Sequence, residues 1–233
     1  MRGFGLEVVE SCIREHRAQM RLASIIMQKE RIDGVFLDGQ DETAAQTKNK
    51  VADDLKERFE RGEVEFDDPG HGVFYPLAPH EGEFRAQSDL AWAVAAAHAR
   101  SLGSPAVFQP TEFKPLVILL RMLIFVSFSW FKVFAKFLSN FRDSMAHAAV
   151  TAGPAKKVLL FMGREHDVSR FFEDPQLKTI SISFDPGLDY EIKASEGVEV
   201  PPYLRQTAQE AACEAAEMEV DLNPWILKVL SGS

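Results

Sequence analysis

Two cysteines in 233 residues, Cys12 and Cys213, are too few for a disulfide framework or a cysteine-rich zinc centre. Both are expected as free thiols packed on helices. Neither GxxxxGKS/T nor GxGxxG occurs, so the chain has no phosphate-binding or dinucleotide-binding glycine loop of those kinds. It also has no Asn-x-Ser/Thr acceptor. Glu7, Glu10 and Glu15 interrupt the first twenty residues, so no apolar signal core forms there. A reducing or matrix-like compartment is the expectation. Basic residues are in deficit, 26 Lys+Arg against 35 Asp+Glu, and the net charge of -9 argues against general nucleic-acid binding. Apolar residues make up 46 %, too many for wholesale disorder.

The charge is unevenly spread. Residues 1–112 carry a net -7 and residues 158–233 a net -8, whereas residues 113–157 carry +6. That basic middle coincides with the most apolar run of the chain, Pro115 to Leu138 (PLVILLRMLIFVSFSWFKVFAKFL). Charge and apolarity together are the usual signature of a segment near anionic lipid. As one helix its 24 residues would reach roughly 36 Å, enough for a hydrocarbon core of about 30 Å. Twelve of residues 116–133 are Leu, Ile, Val or Phe. They contribute on the order of -5 kcal/mol to insertion, and Arg121 opposes this by at most about 3 kcal/mol. At 100° per residue, Lys114, Arg121, Lys132 and Lys136 fall on one narrow stripe. Such a stripe suits a polar neighbour, either a partner protein or lipid phosphate. A spanning helix, an interfacial helix and a buried helix of a soluble bundle are the three readings of the segment.

The remaining elements follow from periodicity and punctuation. Apolar residues recurring every seven positions predict a helix over 4–32, stopped by Gly34. A second helix over 42–61 ends at Gly62, and an Ala-rich helix over 89–102 ends at Gly103. Lys157 to Met162 reads as a strand. Lys178 to Phe184 alternates, and after Asp185-Pro186-Gly187 the segment Tyr190 to Ala194 returns as its hairpin partner. Helices over 203–219 and 221–230 close the chain. The domain reading is an acidic helical region 1–104, a linker 105–114, an apolar membrane helix 115–142, a linker 143–156 and a small α+β region 157–233. The fold class is mainly α, with a small β-hairpin element in the C-terminal third.

Candidate chemistry is sparse. His71, His80 and Glu81 share one loop and are possible zinc ligands by type, but their spacing matches no zinc pattern. A loop histidine bonded to backbone is the simpler account. Glu165-His166-Asp167 follows the strand at 157–162, where catalytic side chains often sit, yet no serine or cysteine nucleophile motif accompanies it.

The reading these features support is a non-catalytic, membrane-anchored accessory subunit of a larger membrane complex, with no cofactor and no metal. Residues 115–138 would anchor it, and Lys114, Arg121, Lys132 and Lys136 would bind lipid or partners. Its partners would be other subunits and anionic lipid. Its place would be a mitochondrial or bacterial inner membrane, with the more basic C-terminal side facing matrix or cytoplasm. The alternative is a peripheral or soluble enzyme using His166 and Asp167, or the His71/His80 loop.

Overall fold

The computed structural model describes residues 6–64, 66, 92–111, 131–163, 166–185 and 187–220. In chain order the elements are α1 (Leu6–Lys29), β1 (Gly34–Leu37), α2 (Glu42–Glu60), α3 (92–101), β2 (Val107–Gln109), α4 (Phe131–Ala152), β3 (Val158–Phe161), α5 (Ser169–Glu173), β4 (Ile180–Phe184), β5 (Tyr190–Ala194) and α6 (Pro202–Glu217).

The fold class departs from the mainly helical expectation. Among the described residues six helices accompany a three-stranded parallel sheet, ordered β2-β1-β3, and a separate antiparallel hairpin, β4-β5. β1 is buried at all four positions. Its side chains alternate between two cores. Val35 and Leu37 join Phe108, Leu159 and Phe161 against α1, α2 and α3, while Phe36 joins Val158 and Leu160 against α4 and α5. A strand covered on both faces reads as a short continuous apolar run, not as an alternation, so GVFL is easily taken for the end of a helix. β2, three residues long, lies inside the stretch read as a linker.

Two connections run from strand to strand. β1 passes through α2 and α3 to β2 on one side, and β2 passes through α4 to β3 on the other. The crossovers run in opposite directions across β1, and the right-handed rule then requires their helices on opposite faces, as the two cores place them. β1 and β3 therefore form a topological switch point, outside whose carboxyl ends α/β proteins open a crevice.

Asp33 fixes the opposite end of this pair. Its two carboxylate oxygens each accept a 3.0 Å bond from a backbone N–H, Lys157 on Oδ1 and Lys156 on Oδ2. Burial works against the Asp33 carboxylate, but these bonds outweigh it and hold the group below the usual carboxylate range. The free edge of β2 is covered by a side chain. The Asn49 amide accepts from the Phe108 N–H at 2.9 Å and donates to the Phe108 carbonyl at 3.0 Å. Arg100, buried on α3, holds that amide in place, donating to Asn49 Oδ1 at 2.6 Å, to Asp53 Oδ1 at 2.7 Å and to the Ala106 carbonyl at 2.7 Å. Outside the sheet, α6 lays its alanine face (Ala208, Ala211, Ala212, Ala215) among the buried residues shared with α1.

The membrane-helix reading is corrected here. Among the described residues no helix is long and apolar enough to cross a membrane. Residues 115–130 lie outside the described residues. The last eight positions of the apolar run, 131–138, open α4, which continues to Ala152 through the segment read as a linker. Its later turns bring Asn140, Arg142, Asp143, Ser144 and His147 among the apolar residues. These polar positions fall in the middle turns of a helix docked on the sheet.

Candidate functional site

The turn after β1 is built to hold one side chain. Gln40 N–H bonds back to the Leu37 carbonyl at 3.2 Å, and Gly39 has φ of +72°, as the third position of a type II turn requires. Asp38 occupies the second position. Thr111, just past β2, pins this turn from the side. Its hydroxyl donates to the Leu37 carbonyl at 2.7 Å and accepts from Gln40 N–H at 3.0 Å, and its own N–H donates to the Gln40 carbonyl at 2.8 Å. The Gln40 amide donates to the Gln109 carbonyl at 2.8 Å. The C-terminal ends of β1 and β2 are thus laced into one rigid ledge.

His166 enters from the end of β3, on a turn in which its N–H bonds to the Gly163 carbonyl at 3.1 Å. The ring stands between two carboxylates. Nδ1 is 2.5 Å from Asp143 Oδ1, and Nε2 is 2.9 Å from Asp38 Oδ2. Asp143, on α4, is buried, with its side chain 1 % exposed, whereas His166 and Asp38 retain 11 % and 16 % exposure. The second Asp143 oxygen accepts the Asp167 N–H at 3.2 Å. Arg142, the neighbour of Asp143 on α4, places Nη2 3.2 Å from the same Asp38 Oδ2. Asp38 Oδ2 is therefore the oxygen that lies nearest to both His166 and Arg142.

A neutral imidazole carries one N–H, so it can donate to only one of these carboxylates; the doubly protonated ring donates to both. A buried carboxylate on Nδ1 fixes the ring's orientation and supports charge on it, the role of the aspartate in hydrolytic triads. Nε2 faces the carboxylate of Asp38.

The residues expected from sequence are distributed as follows. His166 is in the site. Asp167 is beside it, but only through its backbone. Its carboxylate turns to α5, accepting the Ser169 N–H at 2.9 Å, and the Ser169 bonds hold it below the usual carboxylate range. Asp143 and Asp38 take the place that pairing His166 with Asp167 assigned to Asp167. His71, His80, Glu81, Glu165, Lys114 and Arg121 lie outside the described residues. Lys132 and Lys136 fall on the first turns of α4. Cys12 and Cys213 are exposed on α1 and α6, not packed as expected. Among the described residues no group of three or more His, Cys, Asp or Glu side chains is arranged to hold a metal ion.

A cleft of about 350 Å³ lies elsewhere, lined by Asn49, Asp53, Lys56, Arg100 and residues 104–107. It opens beside the amino end of β2, away from the strand termini that carry His166 and Asp38. Its Arg100 is already committed to Asn49, Asp53 and the Ala106 carbonyl, so the cleft supplies little chemistry. Signals for the two missed aspartates do exist in the sequence. Asp143 is the single acid among residues 113–157, and Asp38 directly follows the apolar run GVFL. No family model, curated protein or solved structure matches the chain.

Proposed function

We propose that the chain is an enzyme of hydrolysis or group transfer, acting on a small molecule bound outside the carboxyl ends of β1 and β3. The observation that carries this reading is His166 clamped between Asp143 and Asp38 at the topological switch point. His166 serves as the acid and base. Asp143 is its positioning residue, and Asp38 faces the reacting atoms. Surface ion pairs are common, but one with a carboxylate 1 % exposed beneath a histidine at a strand end is costly to build for stability alone. The rigid ledge of Leu37, Gln40 and Thr111 supports the same reading, because it preorganises Asp38.

The test compares the parent chain with His166→Gln on a small-metabolite extract, following each species by mass spectrometry. At least one metabolite should be consumed by the parent and spared by the variant. Indistinguishable extracts would overturn the reading. The accessory-subunit reading we carry as a second proposal in a peripheral form, since Pro115–Leu138 is both apolar and basic. Its check is sedimentation of the chain with phosphatidylserine vesicles, and no sedimentation at low salt would discard it.

A further inference from the structure

The histidine of a catalytic triad normally points Nε2 at a hydroxyl or thiol. Among the described residues nothing of that kind stands there. Nε2 meets Asp38 Oδ2, the Thr111 hydroxyl is spent on the Leu37 carbonyl, and Cys12 and Cys213 are exposed on helices outside the sheet. We infer, building on the enzymatic reading above, that Asp38 is a covalent nucleophile, and that the substrates are small molecules bearing a leaving group on an electrophilic carbon. The two carboxylate oxygens are differentiated for this task. Oδ2 is the oxygen nearest His166 and Arg142, so Oδ1 is assigned as the attacking oxygen. The carbon electrophile follows from the charge. Among the described residues Arg142 already faces Asp38, and His166 stands between Asp38 and Asp143, so a dianionic phosphate would meet two carboxylates whose neighbours are already engaged.

The chemistry closes on itself. Asp38 Oδ1 bonds to the substrate carbon as the bond to the leaving group breaks. The leaving group departs with the electron pair and takes the Nε2 proton of His166. Esterified Asp38 carries no charge, so Nε2 is released from it and becomes the base. It accepts a proton from water, the hydroxide oxygen bonds to the transferred carbon, and the carbon–Oδ1 bond returns its pair to Asp38. Substrate and water become alcohol and protonated leaving group, with the carboxylate and the imidazolium restored. Asp143 holds the ring on Nδ1 through both steps.

This order predicts a trap. 2,4-Dinitrophenolate leaves without help from an acid, so His166→Gln should still form the ester yet fail to hydrolyse it. The probes are 2,4-dinitrophenyl ribosides, glucosides and galactosides, with 2,4-dinitrophenyl phosphate as a probe expected to be inert. On at least one carbon probe, His166→Gln should release one equivalent of dinitrophenolate and then stall, with steady turnover roughly 10²-fold or more below the parent. The proteolytic peptide bearing Asp38 should gain the mass of the transferred group, and Asp38→Asn should give neither burst nor adduct. Turnover by the parent that needs His166, without a burst or with the adduct on another residue, overturns the nucleophile and leaves the acid–base reading standing. Preference for the phosphate probe overturns the carbon electrophile. A parent chain that turns over none of the probes overturns this proposal, while the metabolite comparison decides the broader reading separately.

Discussion

His166 Nδ1 lies 2.5 Å from Asp143 Oδ1, across 23 positions of sequence that include the end of α4, all of β3 and the turn beyond it. Asp143→Asn keeps the size of the side chain but can present an N–H where the ring needs an acceptor. The imidazole is then held in the wrong tautomer. Activity should fall about 10³–10⁴-fold, while the circular dichroism spectrum stays that of the parent. Steady-state kinetics on whichever substrate the parent consumes measures the drop, and a loss under tenfold would remove Asp143 from the mechanism.

Gly39 at φ of +72° sits where an L side chain is strained. Gly39→Ala should cost about 1–2 kcal/mol in urea unfolding. The same change should lower activity, because relieving the strain moves the Asp38 peptide. A variant as stable as the parent would show that the turn relaxes freely.

Asn49 bonds both backbone groups of Phe108 and also receives Arg100. Asn49→Leu fills similar space but orphans both Phe108 backbone groups and removes one acceptor from the buried Arg100 guanidinium. The expected loss is about 2–4 kcal/mol, read from denaturant midpoints. Aggregation on mild warming should accompany it, since the edge of β2 is then uncovered.

His16 on α1 is half-buried beside Trp92, ring centroids 4.9 Å apart, and its Nε2, itself out of solvent, has no hydrogen-bond partner among the described residues. Burial alone pulls its pKa down from 6.5 to about 4. The folded state therefore binds fewer protons than the unfolded chain between those two values. Stability is at its full value above pH 6.5, declines as pH falls, and has lost this contribution by pH 4. The total is about 3 kcal/mol, with about 2 kcal/mol gone by pH 5. Urea titrations of the parent and His16→Met at pH 7 and pH 5 measure it. The variant should show a smaller decline by that amount, and parallel curves would refute the assignment.

What the chain discloses before folding depends on how far apart the partners sit. The β4-β5 hairpin is visible because Ile180, Ile182 and Phe184 alternate and a turn follows, and the strands pair Phe184 with Tyr190 at that turn. β1 is not visible, since four residues buried on both faces carry no period. β2 is shorter still and is hidden between prolines 105 and 110. Without those two strands the parallel sheet disappears from view, and with it the reason for Asp38 and His166 to meet. His166 itself is legible as a polar residue after a strand. Its neighbour Asp167 is the natural guess for a partner, but the backbone sends that carboxylate to Ser169. Residues 115–138 attract attention as one apolar block, yet 131–138 belong to a helix that continues through Asn140, Arg142, Asp143, Ser144 and His147 to Ala152.

The Asp33 clasp on Lys156 and Lys157 has a consequence at the far end of the strands it joins. β1 and β3 pair from Gly34 with Val158 to Leu37 with Phe161, so Asp38 and the loop of His166 leave the sheet at a common level. A slip of one residue would offset them by about 3.3 Å, which exceeds the 2.9 Å that separates His166 Nε2 from Asp38 Oδ2. The meeting of carboxylate and imidazole is thus a matter of counting residues from a fixed origin, and one aspartate on the opposite rim of the sheet sets the zero.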